Sequence, residues 1–180
     1  MGALQADARM NADEYLASVP ETMQHRELRG GTVVSFASPS AEHQSIVLGL
    51  GSEIRSFIKR NRGKCSVFIA PLDVRLDQFN VVQPDVFVVC DPSKMDTHCN
   101  GAPDWVIEVL STNRWDDLVA KLHLYHEAGV REYWIVDPKK RVTLVYCFEQ
   151  NDSPDIYTFD TPIPVGIYDK ALTIRMEDLA

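Results

Sequence analysis

The run Trp105-Val106-Ile107-Glu108-Val109-Leu110 constrains this chain more than any other stretch. Five of its six residues are apolar, most of them β-branched or aromatic, and they read as a buried strand. A carboxylate nevertheless stands inside it. Burying an unpaired ion costs on the order of several kcal/mol even after relaxation, so a metal, a cation or a reaction is expected to use the charge. Alternation puts Asp104, Val106, Glu108 and Leu110 on one face and Trp105, Ile107 and Val109 on the other.

With 180 residues the chain is long enough for one domain with a substantial core. Residues 1–10 are expected to form a flexible N-terminus and residues 11–180 a single domain. A composition 45% hydrophobic and 24% charged excludes a wholly disordered chain. No apolar run reaches the ~20 residues of a membrane span, and no signal peptide opens the chain, so a cytoplasmic protein is expected. The cysteines Cys65, Cys90, Cys99 and Cys147 lie far apart without a C-x-x-C pair, which argues for free thiols. Net charge is −8, with a pI of about 5.0. That opposes a generic polyanion binder, whose phosphate contacts come from Lys and Arg. It leaves room for an acidic metal site with a local basic rim. Arg55, Lys59 and Arg60, followed by Arg62 and Lys64, are the one basic concentration; they would suit nucleic acid, or simply the C-terminal end of a helix.

Apolar residues at Ile46, Leu50, Ile54, Phe57 and Ile58 mark a long amphipathic helix from Ala41 to about Arg60, capped by Ser40. A short helix is expected over Asn11–Ala17. A hairpin follows, turning at Gly30-Gly31, with a strand from Thr32 to Phe36. Further strands are expected over 65–74, 85–90, 104–110, 132–136 and 142–147, with short edge strands over 156–159 and 171–174. The loop holding Asp91, Pro92, Asn100 and Pro103 reads as irregular. A second helix runs from about Asp116 to Ala128 and stops at Gly129. The mixed order predicts an α/β fold: a sheet with a helix on each side, closing through antiparallel strands.

Pro84-Asp85 opens the strand Val86-Phe87-Val88-Val89, so Asp85 can approach Glu108 if the two strands pair. Mg²⁺ or Mn²⁺ favours oxygen ligands, commonly one or two carboxylates completed by water and phosphate. Lys121, between Leu118 and Tyr125 on the second helix, is long enough to bring its ammonium past the apolar stripe to the strand ends. Two carboxylates, a cation and an amine together suit metal-dependent phosphodiester hydrolysis. Taken singly, Asp85 could be a turn residue, and Lys121 could pair with Asp117 one turn away.

Three segments carry a resemblance: Pro84-Asp85-Val86; Ala102-Pro-Asp-Trp-Val-Ile-Glu108-Val-Leu-Ser111; and Asp117-x-x-x-Lys121-Leu-x-Leu-Tyr125-x-x-Ala-Gly-Val-Arg-Glu-Tyr-Trp-Ile-Val-Asp137-Pro138. The chain resembles a large bacterial family classed as endonucleases, with the restriction endonuclease-like PD-(D/E)xK fold. Glu27-Leu-x-Gly-Gly and His43 extend the resemblance over nearly the whole chain. It implies a restriction endonuclease-like mixed β-sheet flanked by helices, with additional antiparallel strands. It also implies metal binding by Asp85 and Glu108 and the motif-lysine role for Lys121. In the wider superfamily that lysine stands two residues after the acid; here that position is Leu110, so the helix must supply it. Ser111-Thr112-Asn113 departs from the family's usual Ser-Pro-Ser. Glu27 and His43 become secondary site candidates. Asp117 would orient Lys121 or cap its helix.

The expected function is cleavage of DNA by metal-activated water, with Mg²⁺ or Mn²⁺ as cofactor and a homodimer as a natural arrangement for cutting two strands. A different class is a non-catalytic or regulatory protein of a mobile-element or defence system that keeps the fold. Hydrolysis of RNA or a small nucleotide is a third possibility. Retention of Asp85, Glu108 and Lys121 together favours catalysis.

Overall fold

The computed structural model describes residues 9–18, 26–110, 115–150 and 153–179, with side chains omitted for 115–119. Most of the expected N-terminal segment 1–10 and the Ser111-Thr112-Asn113 departure lie outside these residues.

Two strongly apolar stretches become the centre of a sheet. Strands β1 (Arg26–Arg29) and β2 (Thr32–Ser35) form the hairpin around Gly30-Gly31, and α1 (Ala12–Ser18) precedes them. Helix α2 (Ala41–Arg60) follows, then β3 (Ser66–Ile69), β4 (Val74–Arg75), β5 (Val81–Val82), β6 (Val86–Val89), β7 (Cys99–Asn100) and β8 (Trp105–Val109). Helix α3 (Trp115–Ala128) leads into β9 (Glu132–Asp137), β10 (Val142–Cys147), β11 (Asp155–Thr158), β12 (Ile163–Pro164) and β13 (Thr173–Ile174). The main sheet has the order β11-β10-β9-β8-β6-β3. Only β8 and β9 are parallel, joined by the crossover through α3; the other neighbours run antiparallel. Every residue of β6, β8 and β9 is buried, as central strands covered on both faces should be, including the carboxylates Glu108, Glu132 and Asp137.

The two faces of this sheet build two cores. Ile46, Val47, Leu50 and Ile54 of α2 pack on Val86, Val88, Trp105 and Ile107, and the C-terminal residues Ile163, Ile174 and Met176 close the same side. On the opposite face Phe87, Val106, Tyr133 and Ile135 meet Tyr125 of α3 and Val74, Val82 and Cys99. The last three belong to a second, five-stranded sheet of order β2-β1-β5-β4-β7. The mixed sheet with a helix on each face is therefore as expected.

Several details differ. Residues 65–74 are not one strand: β3 ends at Ile69, and β4 belongs to the other sheet. The expected irregular loop before β8 contributes β7, which pairs in parallel with β4. These two-residue strands have no periodicity to detect, and distant partners define them. The cysteine expectation also needs correction. Cys65 and Cys90 stand one step beyond the Ser66↔Val89 pair of the β3/β6 ladder and are joined as a disulfide, whereas Cys99 and Cys147 are free. Their separation of 25 residues gives no hint of the register that brings them together.

Candidate active site

The register of β6 against β8 decides where the acidic residues meet. Val86 pairs with Ile107, so one step outward Asp85 lies opposite Glu108. The backbone N–H of Val109 donates to Asp85 Oδ2 at 2.8 Å, locking the carboxylate against β8. Asp85 thus sits at the mouth of β6, within reach of elements on both faces of the sheet.

From the α2 side comes His43. Ser40 caps the helix, its hydroxyl accepting from the His43 N–H at 3.2 Å. This places the imidazole in the first turn, with Nε2 3.0 Å from Asp85 Oδ2. An ionised carboxylate only accepts, so Nε2 carries the proton. Burial opposes charging of the ring, but Asp85 outweighs it and raises the pKa. The Nδ1 atom is buried without a partner among the described residues.

From the α3 side come Lys121 and Tyr125, one turn apart on the same helix face. Lys121 Nζ donates to Glu108 Oε1 at 2.8 Å and to Glu27 Oε1 at 2.9 Å. The Tyr125 hydroxyl donates to Glu108 Oε1 at 2.7 Å. Glu27, carried by β1 of the second sheet, also accepts from the Gln83 N–H at 3.0 Å and, through Oε2, from Arg29. Glu27, Glu108 and Lys121 are each under 7% exposed, so this is a buried ionic network. Burial, with Asp85 and Glu27 nearby, pushes Glu108 up despite Lys121. Burial opposes the ammonium of Lys121, yet Glu108 and Glu27 hold it charged above its ordinary range. Lys121 and Arg29 hold Glu27 below the usual carboxylate range although burial acts the other way.

The charge placed in β8 therefore has a use: it is paired, hydrogen-bonded and shared. On Asp85 and Glu108 one oxygen is engaged, while Oδ1 and Oε2 accept nothing from the described residues. Oxygens of this kind, on facing carboxylates, fit a hard divalent cation. Among the described residues no three His, Cys, Asp or Glu side chains converge on one point. Two carboxylates completed by water and phosphate would be the pattern Mg²⁺ commonly adopts.

Residues 12–163 match the Uma2 family, described as "Putative restriction endonuclease". The chain belongs to that family. A solved structure of a "putative nuclease" from Anabaena variabilis is 24% identical and superposes with a TM-score of 0.81, covering 94% of this chain and 97% of that one. No curated protein matches the chain. The Uma2 assignment agrees with the resemblance read from Pro103 to Pro138, and the fold agrees with the restriction endonuclease-like architecture expected from it.

Of the expected site residues, Asp85, Glu108, Lys121, Glu27 and His43 come together. Lys121 pairs with Glu108 and Glu27, across elements, and the side chain of Asp117 lies outside the described residues. Arg55, Lys59 and Arg60 do not join the site. They are exposed near the far end of α2, and Arg60 pairs with Glu53 at 3.5 Å. At 1.5 Å per residue the helix sets Lys59 roughly 24 Å from His43. Tyr125 belongs by sequence to the apolar stripe of α3, and its spacing of four from Lys121 is the available signal of a shared role. Arg29 had a similar clue in its period-two spacing from Glu27 on a strand.

Proposed function

We propose that this Uma2 chain is a divalent-metal-dependent endonuclease that hydrolyses DNA phosphodiester bonds. The reading is supported above all by Asp85, one residue before β6, and Glu108 of β8, which lie opposite each other, each with one oxygen fixed and one free, and by the buried ammonium bonded to Glu108. Asp85 Oδ1 and Glu108 Oε2 would hold Mg²⁺ or Mn²⁺. When bound, the ion would supply Lewis-acid polarisation of the phosphoryl oxygen and a more acidic water.

The remaining roles fall to the chain's own groups. Val109 N–H and His43 fix the orientation of Asp85, while Lys121 and Tyr125 fix that of Glu108. Lys121 stays protonated because two carboxylates face it, so it acts as a fixed positive charge toward the phosphate and not as a base. The acidic overall balance restricts phosphate attraction to the neighbourhood of the site. A two-fold homodimer would present one such site to each strand of a duplex.

The test is incubation of purified protein with supercoiled plasmid in Mg²⁺ or Mn²⁺. Nicking or linearisation is expected, abolished by EDTA and by Glu108→Gln. Absence of cleavage with either metal on any DNA, or full activity in Glu108→Gln, overturns the proposal and favours a non-catalytic member of the fold. Equilibrium sedimentation checks the dimer, and a monomer at cleaving concentrations removes it.

A further inference from the structure

Glu27 is the carboxylate that the metal reading leaves without an assignment. It is nearly fully buried, comes from a different sheet and lies against Lys121. A third carboxylate beside Asp85 and Glu108 would ordinarily suggest a second metal ion. Two-metal sites place their ions about 3.5–4 Å apart and clamp both the attacking and the leaving oxygen. Oxygens shared between the ions, or held in reserve for the second, would have to be available.

Here they are committed to other donors. Glu108 Oε1 accepts from Lys121 Nζ at 2.8 Å and from the Tyr125 hydroxyl at 2.7 Å. Glu27 Oε1 accepts from Lys121 Nζ at 2.9 Å and from the Gln83 N–H at 3.0 Å. Glu27 Oε2 faces the Arg29 guanidinium, with Nε at 2.7 Å. An ammonium bonded to both carboxylates already supplies the cation that the gap between Glu27 and Glu108 calls for. It is held by a side chain that cannot diffuse away.

We infer that Lys121, clamped between Glu27 and Glu108, occupies the place of a second cation, so the site takes one divalent ion and Glu27 is a positioning residue. This rests on the proposed metal-dependent activity and adds its stoichiometry. Glu27 acts through Lys121. It fixes the ammonium from the side away from Glu108 and leaves Glu108 Oε2 turned to the single ion.

Mn²⁺ titration of the full chain, read by the electron paramagnetic resonance of free Mn²⁺, tests this without reference to cleavage. One ion per chain is expected for the wild type. Glu27→Gln should still bind one ion, with affinity changed by less than about tenfold. Lys121→Met removes the ammonium from the gap between Glu27 and Glu108, and its count should rise to two. The double variant Glu27→Gln/Lys121→Met should return it to one. A second ion in the wild type, loss of the ion in Glu27→Gln, or a folded Lys121→Met that still binds one would overturn the inference while leaving the nuclease reading standing. No Mn²⁺ bound by the wild type would overturn both. Should Lys121→Met fail to fold, the wild-type count and Glu27→Gln still decide the matter.

Discussion

Replacing Tyr125 by Phe removes a single oxygen from the centre of the ionic network. The ring is fully buried and packs against Tyr133 with centroids 5.0 Å apart, so its apolar contacts survive the change. What is lost is the 2.7 Å hydrogen bond to Glu108 Oε1. A bond to a charged acceptor contributes about 1.5–3 kcal/mol. Lys121 remains on the same oxygen, so Glu108 is not left bare and the loss should stay within that range. For a chain of this size, each kcal/mol moves Tm by roughly 2–4 °C, giving a fall on the order of 3–12 °C. Urea unfolding followed by circular dichroism measures the free energy. A cycle with Glu108→Gln then isolates the charged part of the pair, since the amide oxygen still accepts a hydrogen bond but carries no charge. A coupling of about 1 kcal/mol or more is expected, because groups in one network are not additive. If Tyr125→Phe is as stable as the wild type, or the two substitutions add to within about 0.5 kcal/mol, then Tyr125 does not hold Glu108 and belongs to the core alone.

Glu132, only 1% exposed, accepts from Trp134 Nε1 at 2.7 Å and from the Ile167 N–H at 2.8 Å, tying β9 to the segment before β13. Glu132→Ala strands the buried Trp134 donor, at about 1–3 kcal/mol, and the half-buried Ile167 N–H beside it, and a loss below about 1 kcal/mol in urea unfolding would contradict that role. Burial raises the Glu132 pKa, so the folded state favours its protonated form. Its stabilising contribution is therefore full below the ordinary carboxylate pKa and is lost as pH rises through the raised value. The stability of wild type relative to Glu132→Gln should decline over that rise; a flat difference would refute the shift. Gly129 closes α3 at φ +91° with open space around it, so Gly129→Ala costs only backbone strain, about 1–2 kcal/mol. An unchanged Tm would show that the helix end relaxes. His43→Ala leaves Asp85 with the Val109 N–H alone and should weaken Mn²⁺ binding by several-fold while preserving the one-ion count; unchanged affinity would make His43 a packing residue.

The long helix, the central strands and the crossover were legible because each carries its own repeating pattern. Ile46, Leu50 and Ile54 recur at helical spacing, β6 is an uninterrupted apolar run, and β8 and β9 are apolar apart from Glu108 and the terminal Glu132 and Asp137. The five-stranded sheet was not legible. Strands β4, β5 and β7 have two residues each, too few for any period, and they exist because Leu28, Val81 and Val74 find partners far along the chain. The Cys65–Cys90 bond was hidden for the same reason: it depends on register, which local sequence does not encode.

The site divides along the same line. Glu108 betrayed itself by its cost, since a carboxylate amid five apolar neighbours needs a partner wherever the strand goes. Lys121 could be assigned because the helix after the strand returns over the same sheet face. Glu27 had no such signal, for a glutamate before Leu28 in a short hairpin is ordinary at a strand edge. Its burial arises only because the second sheet stacks against the face that carries Glu108. The buried ammonium thus requires both sheets. With Glu108 alone, the desolvation of Lys121 would be offset by one carboxylate, itself pushed toward neutrality by burial. With Glu27, held ionised by Arg29 as well, the ammonium keeps a charged partner even when Glu108 takes a proton. That asymmetry explains how a lysine can stay charged in a water-poor pocket. It also gives the hairpin β1–β2, remote in sequence from every expected metal ligand, a place in the chemistry.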